Sequence, residues 1–202
     1  MGIRIHIMKI EIKDSWEQIN LRTFLEINAL NEDVKFKDTV VARRVKLISL
    51  ISNMSYDELL TTDSDSLQKL MEATKFLDVL PEEANEKEFD VNGVKHMIIK
   101  DFNKMTAGES ISLEQVLLNK DELGDFIVSD ILSILIRPSK NGVIDKFDEM
   151  LLEDRKELFM EYLTVPYFMG FLTALLTGET SLESLIQRFS GVQKSTIEKV
   201  KK

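Results

Sequence analysis

Phe89-Asp90-Val91-Asn92-Gly93-Val94-Lys95-His96-Met97-Ile98-Ile99 is the most specific local structural signal in this 202-residue chain. Two short apolar segments flank the dipeptide Asn92-Gly93, whose residues tolerate positive φ at both central positions of a tight turn. This backbone geometry matches the twist of paired antiparallel strands, so the stretch predicts a two-residue β-hairpin over 88–99. We expect His96 to be a strand-surface residue without a catalytic role.

The best candidate for a third strand is the N-terminal segment 3–12, in which apolar residues alternate with polar ones. The parity of this alternation changes between Ile7 and Met8. The change indicates either a bulge or a true start at Met8, with residues 1–7 a peripheral extension. Because a stable small sheet needs about three strands, we expect the segment to pair with the hairpin in an antiparallel sheet.

Most of the remaining chain shows helical periodicity and predicts about seven to nine helices. Capping patterns predict helix starts at Ser15, Ser55 and Thr106. Pro138 and the dipeptide Asn141-Gly142 are interpreted as the end of a helix. The expected fold is therefore mainly α with a small antiparallel β-sheet, an α+β class. The predicted helices cover about 15–30, 39–51, 63–80, 111–118, 123–136, 145–162, 164–176 and 180–189, with a short turn at 55–58.

A change of composition divides the chain near residue 81. Residues 82–90 contain five acidic residues and one lysine, which is typical of a solvated connector. We expect an N-terminal strand and helical subdomain over 1–80, followed by the hairpin and a second helical subdomain over 81–202. A single continuous domain is the alternative.

Composition excludes several classes of function. The chain has no cysteine and two histidines, His6 and His96, so thiolate metal sites, disulfide scaffolds and cysteine nucleophiles are excluded. A net charge of −9 disfavours nucleic-acid binding. Neither a glycine-rich phosphate loop nor a nucleophile elbow is present, and the longest apolar stretch, 165–176, is too short for a membrane helix. We expect a soluble, non-enzymatic protein without cofactor or metal and without membrane association.

Charged clusters leave two weaker hypotheses open. A pair of carboxylates from 145–149 or 153–157 could serve a hydrolase, but basic neighbours favour a solvated helix face. In particular, we expect helix 145–162 to be a surface helix whose narrow apolar stripe faces inward. Basic residues near 35–46 and 194–202 are interpreted as solubilising rather than as binding sites. The apolar stripe of the predicted helix 145–162 consists of Phe147, Met150, Leu151, Leu158 and Tyr162.

The stretch 165–176 is apolar around nearly the whole helix circumference. Such a helix is either central to a core or partly covered by another subunit. We take its aromatic residues Tyr167, Phe168 and Phe171 as the candidate interface.

Three sequence blocks carry a family resemblance. They are 12–16 (IKDSW) with 24–27 behind it, 101–109 (DFNKMTAGE), and 157–159 (ELF) followed by 163–166 (LTVP). In these blocks the chain resembles small structural or assembly proteins of tailed bacteriophages that infect gut Bacteroidetes, including the crAss-like phages. The likeness spans most of the chain but consists of caps, turns and core positions, so it implies no catalytic residue.

The resemblance implies a virion protein of the neck or tail region that works through protein–protein contacts. Its expected partners are portal, neck or tail components, with a homo-oligomer as a further option. The expected location is the virion, or the host cytoplasm during assembly. A soluble adaptor or tail-assembly chaperone that leaves the finished particle is the alternative, and a carboxylate-dependent hydrolase is disfavoured.

Overall fold

The computed structural model describes residues 10–33, 39–84, 86–99, 105–119 and 127–177. Over these residues it contains eight α-helices and one four-stranded antiparallel sheet, which confirms the predicted α+β class. The chain divides into two compact units, Met1–Pro81 and Glu82–Lys202. The predicted strand residues 3–9 and the predicted helix over 180–189 lie outside the described residues.

The first unit is helical. A 3₁₀ turn at Trp16–Gln18 precedes the first helix, so the single helix predicted over 15–30 is wrong in its first part. Ile19 and Asn20 are extended, and the side chain of Asn20 accepts a hydrogen bond from the backbone N–H of Thr23. Asn20 therefore replaces Ser15 as the helix cap. The helices are α1 (Leu21–Glu32), α2 (Val40–Ile51), α3 (Tyr56–Leu60) and α4 (Ser64–Ala73), followed by a 3₁₀ turn at Thr74–Asp78.

The core of the first unit forms where α2, α3 and α4 meet. Val45, Ile48, Leu59 and Leu70 are its buried centre. The predicted cap at Ser55 is confirmed: its hydroxyl accepts from the backbone N–H of Glu58, whose side chain accepts from the N–H of Ser55. This reciprocal pair satisfies two amides that a helix start otherwise leaves unpaired.

The second unit contains the sheet, whose strand order is β1-β2-β3-β4. The predicted hairpin is confirmed: Asn92 and Gly93 have φ values of 51° and 78°, and Phe89 pairs with His96 across the two strands. The elements are β1 (Glu88–Val91), β2 (Val94–Ile98), α5 (Ala107–Leu118), α6 (Ile127–Leu135), β3 (Ile136–Lys140), β4 (Val143–Ile144), α7 (Leu152–Tyr162) and α8 (Val165–Thr177).

Among the described residues, the strand that pairs with the predicted hairpin is β3. β2 pairs with β1 along one edge and with β3 along the other, so neither edge of β2 is open to a further strand. Ile12, the last residue of the predicted N-terminal strand, instead forms an isolated bridge with Ser52 in the first unit.

The predicted helix end at Pro138 and Asn141-Gly142 is wrong, because these residues form a strand and a second Asn-Gly hairpin turn. Asn141 and Gly142 have φ values of 53° and 75° and join β3 to β4 as a second tight hairpin. The carbonyl of Pro138 accepts from the backbone N–H of Asp145 at 2.9 Å and so faces away from β2. Its nitrogen faces the same side, so the missing N–H removes no hydrogen bond to β2.

Candidate binding cleft

A cleft of about 540 Å³ opens in the second unit beside the sheet. Its wall is formed by residues of β2, β3, α7 and the segment that joins β4 to α7. The volume lies within the range of about 300 to 1,000 Å³ that is usual for ligand sites. We call it the His96 cleft; it is lined by His96, Pro138, Asp145, Lys146, Phe147, Asp148, Leu151, Asp154, Arg155 and Leu158.

His96 is buried rather than on the strand surface, with 1% of its surface exposed. Directly opposite residues of an antiparallel pair point to the same face, and His96 pairs with the buried Phe89. Its ring lies edge-on to Phe159 of α7, with centroids 5.5 Å apart. The prediction of a strand-surface histidine is therefore wrong. The two-residue turn already fixes this register, so the inward position was readable from the sequence.

One nitrogen of the His96 ring has no hydrogen-bond partner within the described part of the chain. Nδ1 lies 2.8 Å from the carbonyl oxygen of Val94. Because a carbonyl can only accept, Nδ1 bears the proton and Nε2 presents a lone pair. Nε2 is fully buried. Burial lowers the pKa of His96, and the nearby charge of Arg155 lowers it further, so the ring is neutral at neutral pH.

Arg155 is a second buried polar group on the wall of the cleft, with 6% of its surface exposed. Its Nη1 is buried, and none of the described residues accepts a hydrogen bond from it. Burial lowers the pKa of Arg155, and the charge of Arg137 adds to this effect, while Asp148 and Asp145 oppose it. The guanidinium stays charged, because even a lowered arginine pKa lies far above neutral pH.

The surface helix predicted over 145–162 differs from the structure in its start and in its buried face. Residues 145–148 are not helical, a 3₁₀ turn follows at Glu149–Leu151, and α7 begins only at Leu152. Because residues 145–151 are not α-helical, a helical periodicity that includes them predicts the wrong buried face for α7. The buried residues of α7 are Arg155, Phe159 and Met160, whereas the predicted stripe residues Met150 and Tyr162 are 87% and 42% exposed.

Three carboxylates and one ammonium group form the rim of the cleft. Asp145, Lys146, Asp148 and Asp154 are exposed at its edge, and Asp148 also accepts a hydrogen bond from the backbone N–H of Met150. Among the described residues, no group of three or more acidic or histidine side chains is placed to hold a metal ion. The cleft thus has apolar walls and a charged rim, and two buried polar side chains, His96 and Arg155, are among its lining residues.

The predicted interface residues on α8 are engaged inside the second unit. Phe168 and Phe171 are 3% and 1% exposed and belong to its core. Tyr167 stacks on Phe89 with ring centroids 5.1 Å apart, and its hydroxyl donates to Glu86 at 3.2 Å. In this folded unit the two phenylalanines offer no surface to a partner.

The structure describes only some of the basic residues near 35–46. Arg44 donates to both carboxylate oxygens of Asp78, at 2.9 and 2.7 Å, and Arg43 donates to the side chain of Asn31. Both arginines thus make side-chain contacts within the first unit, although none of the described residues accepts a hydrogen bond from Nε of Arg43. Lys35, Lys37 and the C-terminal cluster over 194–202 lie outside the described residues.

None of the helices over the described ranges is long and apolar enough to cross a membrane. No protein-family model, no curated protein and no solved structure matches the chain.

Proposed function

We propose that the chain is a non-enzymatic structural or assembly protein of a tailed-phage virion, acting in the neck or tail region through contacts with portal, neck or tail proteins. The resemblance of three sequence blocks to small phage assembly proteins suggests the class. The observation that supports a role in protein contacts is the exposure of apolar side chains beside the His96 cleft. We call residues 143–151 the cleft segment.

The cleft segment exposes three large apolar side chains. Val143 is 68% exposed, Met150 87% and Leu151 42%. Single exposed apolar residues are ordinary, but several in one short segment beside a cleft are typical of contact surfaces. Methionine suits such a surface, because its unbranched side chain adapts to different partner shapes.

The charge of the cleft rim indicates what kind of partner surface fits. The rim has three aspartates and one lysine, in a chain with a net charge of −9. Electrostatics therefore favours association with a partner that has a neutral or basic surface and disfavours association with a strongly acidic partner. Such steering predicts that the complex weakens as salt concentration rises.

Mass spectrometry of purified particles of the phage that encodes the chain tests this proposal. We expect the chain at a fixed copy number per particle and its gene beside portal or tail genes. Presence in infected cells but absence from finished particles would favour the assembly-chaperone alternative. A gene without phage structural neighbours, together with absence from particles, would overturn the proposal.

A further inference from the structure

We propose that the cleft segment and the rim of the His96 cleft bind the C-terminal segment 188–202 of the same chain, whose basic residues complement the acidic rim and whose apolar residues cover the exposed apolar side chains. Residues 188–202 lie outside the described part of the chain. The contact is intramolecular, so its test does not depend on the phage assignment.

The apolar side chains of this surface are open to solvent. Met150 and Leu151 belong to the 3₁₀ turn before α7 and are 87% and 42% exposed, and Val143 is 68% exposed. Leu151 also lines the cleft, together with the partly exposed side chains of Phe147 and Leu158. A segment that lies over the 3₁₀ turn therefore contacts exposed apolar surface without having to reach any buried atom.

The charged side chains around this surface are mostly acidic. Between residues 145 and 154, five carboxylates and one ammonium group are exposed. The buried guanidinium of Arg155 opposes these carboxylates in part, and an excess of negative charge remains. Repulsion disfavours an acidic occupant and attraction favours a basic one. The exposed charged residues are Asp145, Lys146, Asp148, Glu149, Glu153 and Asp154.

The C-terminal segment has the complementary composition. Residues 188–202 contain one arginine, four lysines and one glutamate, in a chain whose net charge is −9. The other basic stretch, 35–46, is less suitable, because both of its arginines contact other side chains of the first unit. Basic residues with apolar residues between them fit an apolar surface that carboxylates surround. The apolar residues of the segment are Phe189, Val192, Ile197 and Val200.

The covalent connection strengthens this contact. Residues 178–202 follow α8 directly. Fully extended, they span about 80 Å, whereas a compact unit of about 100 residues has a radius of gyration of about 13 Å. The segment can therefore reach the cleft from any position of the end of α8. A short tether gives an effective concentration of about 1 mM, so a Kd of about 1 mM for the untethered contact is sufficient for half occupancy.

A second copy of the chain is a poorer occupant than the attached segment. Two copies with a net charge of −9 repel each other. At micromolar concentration, the segment of another copy is also about a thousand times more dilute than the tethered one. Any external partner meets the same competition and must displace the segment to reach Met150 and Leu151. The segment therefore restricts access to this surface until a partner of higher affinity binds.

The absence of cysteine from the chain allows a direct test, because a nitroxide spin label then attaches only at Ser195→Cys. The label broadens the NMR signals of amides that lie close to it, and the chemically reduced label gives the reference spectrum. We expect the amide signals of residues 149–151 to lose about half of their intensity, in line with half occupancy. The intensity should recover at about 1 M salt, where the Debye length is about 3 Å.

Charge reversal at the cleft tests whether the acidic surface is recognised. In Glu153→Lys/Asp154→Lys, both changes lie at exposed positions in the first turn of α7. We expect the Kd of the contact to rise about tenfold, so most of the lost intensity should return. The matched control is Asp57→Lys/Asp65→Lys, at exposed first-turn positions of helices in the first unit, and it should keep the full loss. Circular dichroism checks the fold of each variant, and Glu149→Lys replaces the first pair if that variant does not fold.

Three outcomes would overturn the inference. Equal signal loss in the two double variants would mean that the segment does not recognise the acidic surface. Absence of a selective loss at residues 149–151 would mean that the segment does not bind there. A loss in a mixture of spin-labelled chain with isotope-labelled chain that carries no spin label would assign the bound segment to a second copy. In all three cases, detection of the chain in purified particles would leave the proposed function standing.

Discussion

Nη2 of Arg137 on β3 lies 2.7 Å from Oε1 of Glu109 at the start of α5, with 10% and 2% of the two side chains exposed. The other carboxylate oxygen of Glu109 accepts a hydrogen bond from the backbone N–H of Thr106 in the capping box of α5. One buried carboxylate therefore caps a helix and neutralises a buried guanidinium on the sheet. The contact with Arg137 is a close approach of opposite charges, since no aligned N–H···O hydrogen bond to Oε1 accompanies it.

Replacing Glu109 with alanine should strongly destabilise the second unit. The substitution leaves the buried Arg137 without its counter-charge, and breaking a buried pair in this way costs about 3 to 5 kcal/mol. Urea denaturation followed by circular dichroism measures the loss. Glu58→Ala is the matched control, since Glu58 holds the same position in the exposed capping box of α3. A loss at Glu109 no larger than that at Glu58 would show that the ion pair contributes nothing.

Valine in place of Gly93 should lower the free energy of unfolding by about 1 kcal/mol or more, because a β-branched residue resists positive φ. A Cβ at Gly93 meets no atom within 4 Å, so the backbone conformation alone sets the cost. Gly142→Val tests the second hairpin in the same way, with φ +75° and the same open surroundings. An unchanged thermal midpoint in either variant would contradict the positive-φ turn at that position.

Alanine in place of Gly170 should destabilise α8 by about 1 to 3 kcal/mol, although alanine is the better helix former. Its Cβ would lie 2.1 Å from the backbone carbonyl oxygen of Ala84, which must then move. That movement disturbs the hydrogen bond from the backbone N–H of Ala84 to the carbonyl of Pro166. Differential scanning calorimetry should show a lower midpoint.

Gly108→Ala is the control for this substitution. Its Cβ would lie 3.2 Å from the ring of Phe147, a side chain that lines the open cleft and has room to move. The better helix propensity of alanine offsets this smaller strain, so we expect little net change. A loss equal to that of Gly170→Ala would contradict the distinction between backbone and side-chain contacts.

Stability of the second unit should fall as the pH drops below about 6.5, the ordinary pKa of histidine. Burial and the charge of Arg155 lower the pKa of His96 in the folded chain. At a pH between the pKa values of His96 in the folded and unfolded chain, the unfolded chain binds more protons. Acidification therefore lowers the free energy of unfolding in this range, and the decrease stops below the pKa of the folded chain.

Urea midpoints measured at about pH 7.5 and about pH 5.5 check this linkage. The urea midpoint of His96→Gln should fall less between the two pH values than that of the unmodified chain, since the substituted side chain does not titrate. The carboxylates titrate in both proteins and cancel in the comparison. Identical drops in the two proteins would place the pH dependence elsewhere.

Local signals in the sequence were sufficient for much of the fold. Asn92-Gly93 fixed the first hairpin, and the pairs Ser55–Glu58 and Thr106–Glu109 located two helix starts through their capping boxes. Each of these signals acts within a few residues of the chain, where turn and cap chemistry dominate. The same dipeptide at Asn141-Gly142 also forms a hairpin turn, but Pro138 before it makes the sequence pattern equally typical of a helix end.

Sequence patterns do not predict most of the candidate cleft. Arg155 is charged and lies on a helix with a polar sequence, so periodicity assigns it to solvent. It is buried on the same helix as Phe159, whose ring contacts His96 of β2, a residue distant in the chain. The position of His96, by contrast, follows from the register of the hairpin. Tertiary packing, and not local preference, decides which charged side chains line a cleft.

Incorporation of a Met150→Lys variant into phage particles tests the central claim, that the chain acts by association through the cleft segment. Met150 is 87% exposed, so lysine should leave the fold intact while removing an apolar contact. The control is Leu118→Lys, which also changes an exposed apolar residue of the second unit but outside the cleft lining. Quantitative mass spectrometry of purified particles gives the copy number of each variant. We predict a loss of about tenfold or more for Met150→Lys and none for Leu118→Lys, as expected for an anchor residue. Equal incorporation of both variants would contradict the claim.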